Sequence, residues 1–198
     1  MRYRLAHLVR SVRLPWRTME VWQKNLYVLW FGVFLVSMAF SLVMPFLPLY
    51  LIELGVADAD ASRWAGYVLA SAFLATALIS PVWGSLADRF GQKPMLIRSG
   101  LALGLIYILM GFVQDSWQLL ALRTVFGLMS GFIPAATALV SSNTPPDKAG
   151  AALGTLQTGS AAGNIVGPLV GGLLASLFGI RGTFVISADL ELFWGVHN

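Results

Sequence analysis

The chain has 198 residues, of which 57% are hydrophobic and only 11% are charged. Soluble domains carry about 25% charged residues, so the chain is too apolar for a water-solvated core and is predicted to be an integral membrane protein. Its net charge of +4 comes from basic residues in short segments between apolar runs. That distribution fits membrane topology and argues against a nucleic-acid-binding protein. The lack of cysteine excludes disulfides and thiolate metal sites.

Residues 1–24 are predicted to form a basic cytoplasmic tail. The segment contains one acid, Glu20, and six basic residues: Arg2, Arg4, Arg10, Arg13, Arg17 and Lys24. It has no apolar core of signal-peptide length, so a cleaved signal is not expected. Two interpretations stay open, a short basic helix on an anionic membrane leaflet and a tail without fixed structure.

The remaining residues, 25–198, are predicted to form one all-α transmembrane bundle. A transmembrane helix needs about 20 apolar residues. Runs of that length place five spans at about 26–50, 64–87, 95–114, 117–140 and 152–177. A sixth span begins near 182, but Asp189 and Glu191 interrupt the apolar run, so we expect it to be incomplete. Pro45, near the end of span 1, either kinks the helix or marks its end.

The positions of lysine and arginine predict the orientation. With the N-terminus inside, the cytoplasmic segments hold ten basic residues and the outer loops hold two, Arg63 and Arg181. Cytoplasmic loops are enriched in basic residues. We therefore predict a cytoplasmic N-terminus, with Arg98 near the start of span 3 reaching back to the lipid headgroups.

A ten-residue pattern occurs twice, at Gly84–Lys93 and at Gly172–Arg181, with five identical positions and an offset of 88 residues. The copies end spans 2 and 5, so three spans separate them and they lie on opposite membrane faces. This arrangement predicts an inverted three-plus-three repeat, as found in secondary transporters. The second copy has uncharged residues in place of Asp88 and Arg89, so any function of those charges belongs to the cytoplasmic side.

The charged loop Gly84–Lys93 carries Asp88, Arg89 and Lys93 between two long apolar runs. Gly84 is expected to let two helices approach closely. Asp88 is expected to pair with basic groups or to cap a neighbouring helix, and Gly91 supplies a tight turn. The alternative interpretation is a basic loop that only sets the topology.

Polar residues within the spans are the candidates for a transport pathway. Arg123 is costly in lipid and is expected to face the bundle interior or a cavity, unless it reaches the membrane surface. The amides of Gln157 and Asn164 either line a polar pathway or make contacts between helices. Phe40 and Met44 complete the candidate cavity. No pair of residues with metal-ligand or nucleophile spacing occurs, so neither an enzyme nor a bound cofactor is predicted.

Glycines recur every four residues in span 5: Gly159, Gly163, Gly167 and Gly171. A stripe of small residues lets two helices cross closely. Such a thin helix face is also where a moving bundle can pivot, and generic tight packing is the alternative.

Taken in order, these motifs resemble the N-terminal half of a major facilitator superfamily transporter of the drug/proton antiporter type. Gly84–Lys93 is similar to the signature loop between spans 2 and 3, and Arg123–Gly127 to the span 4 motif. Gly163–Gly172, with Pro168, is similar to the span 5 motif. The resemblance covers about residues 22–186.

The resemblance implies a six-helix N-terminal bundle of a twelve-span, proton-driven exporter of lipophilic small molecules in the bacterial inner membrane. It implies a gating loop that closes the cytoplasmic side, formed by Gly84, Asp88, Arg89, Gly91 and Lys93. It ties Arg123 and Gly127 to proton coupling. It also implies a pivot in span 5, formed by Gly163, Gly167, Pro168, Gly171 and Gly172.

Two departures from the family pattern bear on mechanism. Gln92 stands where a basic residue is usual, and spans 1 to 5 contain no Asp or Glu. A coupling carboxylate, if one is needed, would belong to a missing C-terminal half, without which we expect no transport. The alternatives are a sugar or metabolite transporter of the same fold and a transport-inert membrane fragment. The expected partners are the lipid bilayer, a lipophilic substrate and that C-terminal half.

Overall fold

The computed structural model describes residues 19–197, and these residues form helices joined by short turns, with no strand among them. Most of the predicted basic tail therefore lies outside the described residues. Its last residues, 21–24, belong to the first helix, which begins at Val21. The all-helical architecture confirms the predicted fold class.

Five helical segments within the described residues are long and apolar enough to cross a membrane. Each predicted span overlaps one of them. Their bounds are Val21–Glu53, Asp58–Phe90, Gln92–Gly111, Ser116–Asn143 and, for span 5, a start at Ala149. Acidic residues at the helix starts help to fix these bounds, because the positive end of the helix dipole favours an anion. The Asp115 carboxylate, for example, accepts a hydrogen bond of 2.8 Å from the Gln118 amide at the start of span 4.

Span 1 is interrupted by the 3₁₀ turn Met44–Phe46, between helices Val21–Val43 and Leu47–Glu53. Pro45 lies in this turn and has no amide hydrogen to donate to the preceding helix. The structure therefore supports the interpretation of Pro45 as a local distortion within the span, since helix continues on both sides.

The last helical segment, Ala149–His197, has one non-helical residue inside it, Gly179, at φ 73° and ψ 172°. Span 5 therefore ends before Gly179, and a sixth helix follows it up to His197. Asp189 lies within that sixth helix, so the acidic residue does not break it as the sequence predicted. A carboxylate side chain on a helix leaves the backbone hydrogen bonds of that helix intact.

The predicted inverted repeat is visible in the backbone. Gly91 and Gly179, the equivalent glycines of the two copies, both have positive φ, at 90° and 73°. Both turns lie between consecutive helices. Span 1 packs on span 5, span 2 on span 4, and span 3 on the sixth helix. In a three-plus-three repeat, spans 1, 2 and 3 correspond to spans 4, 5 and 6. Under this correspondence the pair of spans 1 and 5 becomes the pair of spans 4 and 2, and the pair of span 3 and the sixth helix is unchanged, as a repeat requires.

The glycine stripe of span 5 lies directly on the backbone of span 1. A Cβ atom added to Gly159, Gly163, Gly167 or Gly171 would lie 2.5–2.8 Å from a backbone oxygen of span 1. Those oxygens belong, in the same order, to Trp30, Phe34, Met38 and Leu42. Both series advance four residues at a time, so the two helices run parallel. This confirms the close crossing predicted from the stripe.

Replacing Gly167 by alanine is expected to lower the melting temperature of the chain in detergent by roughly 5 °C, because the new Cβ would overlap the Met38 carbonyl. The matched control is Gly154→Ala in the same helix, where a Cβ meets no atom within 4 Å. Since alanine has the better helix propensity, Gly154→Ala should leave the melting temperature unchanged or higher. Equal melting temperatures for the two variants would contradict the proposed backbone contact.

Candidate functional site

A cavity of about 340 Å³ lies between spans 1, 2, 4 and 5, with one side chain from span 3. Four phenylalanines from spans 1, 2 and 4 line it, namely Phe40, Phe73, Phe126 and Phe132. Small polar side chains stand between the rings: Ser37, Thr76, Ser80, Ser130, Ser160 and Asn164. Among the described residues, no charged side chain lines the cavity. An apolar wall with a few hydrogen-bonding groups is typical of small-molecule sites.

The structure places two of the four predicted cavity residues, Phe40 and Asn164, in this cavity. Met44 and Gln157 do not line it. Met44 is half-buried and begins the 3₁₀ turn, where the regular helix ends. Gln157 is exposed, although Ser160, three residues later in the same helix, lines the cavity. Neither residue is among those that line the cavity, so their assignment to its wall was wrong.

Arg123 faces the interior of the bundle, as predicted, with only 1% of its surface exposed. Its guanidinium carbon lies 5.3 Å from the ring centre of Phe126, 5.8 Å from Tyr107 and 5.9 Å from Phe40. The rings give it cation–π contacts. Within the described residues none of its three guanidinium nitrogens has a hydrogen-bond partner. Since Phe40 and Phe126 also line the cavity, the charge lies behind the cavity wall.

Gly127 allows spans 2 and 4 to touch. A Cβ atom at Gly127 would collide with the carbonyl group of Ala72 on span 2. The hydroxyl of Thr76 donates a hydrogen bond of 3.1 Å to the Gly127 carbonyl across the same contact. Spans 2 and 4 thus meet backbone to backbone, like their counterparts in the repeat, spans 5 and 1. This contact closes the side of the cavity next to Arg123.

The charged loop Gly84–Lys93 lies at the exposed end of spans 2 and 3. Asp88 makes neither a hydrogen bond nor an ion pair with any described residue, so the predicted pairing does not occur within this part of the chain. A Cβ atom at Gly84 would meet nothing within 4 Å. The close helix contact predicted at Gly84 is therefore absent here, because that face of span 2 borders an open pocket. Gly91 makes the predicted tight turn.

In span 5 the predicted pivot residues do not share one environment. Gly163, Gly167 and Gly171 contact span 1, whereas Gly172 faces open space. Pro168 lies inside the helix, half-buried. Whether this face pivots stays a prediction.

Sequence analysis missed a break in span 4. The span consists of two helices, Ser116–Met129 and Phe132–Asn143, which we call the first and second halves of span 4. Gly131, between them, has φ 145° and ψ 0°, a conformation that favours glycine. Pro134 has no amide hydrogen, and its ring crowds the carbonyl four residues earlier, that of Ser130. The Ser-Gly-x-x-Pro pattern was therefore a readable signal for the break.

The prediction that Arg98 reaches the lipid headgroups was wrong. Its guanidinium stacks on Trp83 of span 2, with 3.4 Å between the guanidinium carbon and the ring centre. Its Nη2 donates a hydrogen bond of 3.4 Å to the Met129 carbonyl, at the break in span 4. Arg98 turns inward because this carbonyl and this ring offer it a partner that the sequence alone did not reveal.

Comparison with known proteins gives one family. The model described as "Major Facilitator Superfamily" matches residues 29–197. The chain is 52% identical over 168 residues to the multidrug resistance protein MdtG of Yersinia enterocolitica, covering 84% of this chain and 41% of that protein. It is 49% identical over 168 residues to MdtG of Proteus mirabilis, covering 84% of this chain and 42% of that protein. The chain thus spans less than half the length of these curated relatives.

Among solved structures, the chain is similar to the human organic anion transporter MFSD10 (TETRAN), with a TM-score of 0.77 and 20% identity. The similarity covers 89% of this chain and 47% of that one. At this identity the likeness establishes the fold alone, and it agrees with the six-helix arrangement described above.

Replacing Arg123 by methionine is expected to raise the melting temperature of the chain in detergent by roughly 5 °C, because a buried, unpaired charge is exchanged for an apolar side chain of similar length. Arg63→Met is the control, since Arg63 is exposed and bonded only to Asp60 at 3.2 Å. It should leave the melting temperature unchanged. A fall on replacing Arg123 would show that the charge is paired and stabilising.

Proposed function

Because the chain belongs to the major facilitator superfamily, we propose that it is the N-terminal half of a multidrug exporter driven by proton antiport in the bacterial inner membrane. The observation that supports this most directly is the aromatic cavity between spans 1, 2, 4 and 5. The relatives named MdtG are multidrug resistance proteins of about twice the length.

The wall of the cavity supports lipophilic substrates. Four phenylalanine rings offer apolar surface that accepts many shapes, and scattered hydroxyl and amide groups accept or donate single hydrogen bonds. A sugar or metabolite transporter of the same fold is the second candidate. A sugar needs hydrogen-bond partners for most of its hydroxyl groups, because an unpaired polar group in a dry site is costly. The phenylalanine-rich wall therefore favours the lipophilic class.

Arg123 is the proposed coupling residue on this side of the transporter. It is a buried positive charge behind Phe40 and Phe126. A positive charge favours the ionised form of a nearby carboxylate and opposes its protonation. Away from the helix ends, spans 1 to 5 contain no Asp or Glu. In the sixth helix Asp189 is exposed, away from the buried Arg123. We therefore assign the proton-binding carboxylate to the C-terminal half and expect the chain alone not to transport.

The charged loop is the proposed cytoplasmic gate. Asp88, Arg89 and Lys93 are exposed, and Asp88 has no partner among the described residues. Gly84 borders an open pocket of about 280 Å³ at the same end of the bundle. An exposed acid beside an open groove provides a docking point for a helix end of the C-terminal half.

The orientation can be tested with single cysteines, since the chain has none of its own. Lys148→Cys should react with a membrane-impermeant maleimide only from the cytoplasmic side, in inverted vesicles. Arg63→Cys should react only from the outside, in intact spheroplasts. The expectation follows from the excess of lysine and arginine on the cytoplasmic side. The reverse labelling pattern would refute the proposed topology.

Transport can be tested by supplying the C-terminal half of Yersinia enterocolitica MdtG as a separate chain in an efflux-deficient bacterial host. Co-expression is expected to lower the accumulation of a lipophilic fluorescent dye, and a protonophore should abolish the effect. Each half expressed alone should leave accumulation unchanged.

Three results would overturn parts of this proposal. Export by the 198-residue chain alone would refute the need for a second half. Export that survives the protonophore would refute proton coupling. Co-purification of the two halves without export of any dye or drug would leave the transport-inert fragment as the better description.

A further inference from the structure

We propose that Thr76, Trp83 and Arg98 are positioning residues that hold the break in span 4. They would thereby fix the half of the span that carries Arg123 and part of the cavity wall. The structural part of this proposal stands on the geometry alone. Its consequence for transport rests on the function proposed above.

The break leaves backbone carbonyls without their usual partners. In a continuous helix the carbonyls of Gly127, Leu128 and Met129 would accept hydrogen bonds from the amides four residues later. Instead, the Ser130 amide bonds to Gly127 at 3.3 Å, and the next helical bond is from Ala135 to Gly131 at 3.0 Å. Inside a membrane no water replaces the lost bonds, so free carbonyls are costly there.

Three side chains from neighbouring spans donate to these carbonyls in sequence order, and within the described residues those of Leu128 and Met129 have no backbone donor across the break. The Thr76 hydroxyl shares its one hydrogen between the Ala72 carbonyl of its own helix, at 2.9 Å, and the Gly127 carbonyl, at 3.1 Å. The Trp83 Nε1 bonds to the Leu128 carbonyl at 2.7 Å, and the Arg98 Nη2 bonds to the Met129 carbonyl at 3.4 Å. Thr76 and Trp83 belong to span 2 and Arg98 belongs to span 3. The end of the first half of span 4 is thus attached to both neighbours.

Arg98 suits this place for two physical reasons. A positive charge is favourable at the carbonyl end of a helix. Its planar guanidinium also stacks on Trp83, at 3.4 Å, while both side chains keep their hydrogen bonds to the carbonyls. A lysine would keep the charge but lose the stacking and the planar geometry.

The attached segment is the one that shapes the candidate site. The first half of span 4 carries Arg123, Phe126 and Gly127. The break itself lines the cavity through Ser130 and Gly131. A movement of the first half relative to the second would therefore displace both the buried charge and the aromatic wall.

The proposal is tested by measuring the distance between the two halves of span 4. Ala121 and Ser141 are exposed and lie on either side of the break. Cysteines at these positions, spin-labelled in lipid nanodiscs, should be about 30 Å apart and give a narrow distance distribution by double electron–electron resonance. Arg98→Ala and Trp83→Ala are expected to shift or broaden it by several ångströms.

Conservative variants separate the attachment from a general loss of stability. Arg98→Lys should also broaden the distribution, whereas Arg63→Ala should not. Thr76→Val is compared with Thr137→Val, because both threonines bond to a carbonyl of their own helix but only Thr76 reaches span 4. Only Thr76→Val should alter the distance between the two halves.

A second label pair at Val21 and Gly154, on spans 1 and 5, reports whether the bundle stays folded. If an alanine variant alters the distance distributions of both label pairs, it has disturbed the whole bundle. The milder variants Arg98→Lys and Thr76→Val then decide whether the break in span 4 is held by these side chains. An unchanged span 4 distribution in these two variants, with the second pair intact, would overturn the proposal.

The transport consequence has its own measurement. In the two-chain transporter, Arg98→Lys should raise the KM for dye export several-fold, because it distorts the cavity wall. It should also lower the maximal rate, because the same movement displaces Arg123. An unchanged KM would refute this consequence. If the two-chain transporter is inactive even without substitutions, the proposed function fails, and the distance measurements still decide the structural proposal.

Discussion

The bundle depends on backbone-to-backbone contact between neighbouring helices. In span 5 the glycines at every fourth position lie on the carbonyls of span 1, and Gly127 of span 4 lies on Ala72 of span 2. With no side chain between the axes, dispersion contacts and weak Cα–H···O contacts replace the hydrophobic effect, which lipid does not provide. The two contacts are related by the inverted repeat, and the cavity lies between the two helix pairs they join.

Arg123 lies next to one of these contacts, and its buried charge is expected to lower the stability of the bundle. Its charge is fully buried, has ring contacts only, and finds no hydrogen-bond partner in the described part of the chain. A group that lowers stability and is nevertheless held by packing on every side is a hallmark of a functional position. The neighbouring break in span 4 differs from Arg123 in this respect. The carbonyls at the break accept hydrogen bonds from side chains of other spans.

Much of this architecture was predictable from the sequence, because it depends on one-dimensional patterns. Uncharged runs predicted the spans, and the spacing of Gly91 and Gly179 predicted the repeat. The four-residue period of glycines predicted the close crossing of span 5 with another helix. The predictions that failed concern residues whose environment depends on partners far away in the sequence. Arg98 turns inward because it stacks on Trp83 and donates a hydrogen bond to the Met129 carbonyl. Gly84 faces open space because no described atom lies within 4 Å on that side. Gln157 is exposed, although Ser160, three residues later, lines the cavity.

The two glycine turns of the repeat have similar backbone conformations, with positive φ at the glycine, but they carry different charged residues. The turn at Gly91 carries Asp88, Arg89 and Lys93, whereas the turn at Gly179 keeps only Arg181. During insertion, basic residues resist translocation across the membrane, and a turn with few of them crosses more easily. The turn at Gly91 has two basic residues and the turn at Gly179 has one, so the charges favour opposite membrane faces for the two turns. Leu177, at the position of Arg89, is the residue that makes this difference between two similar backbone turns.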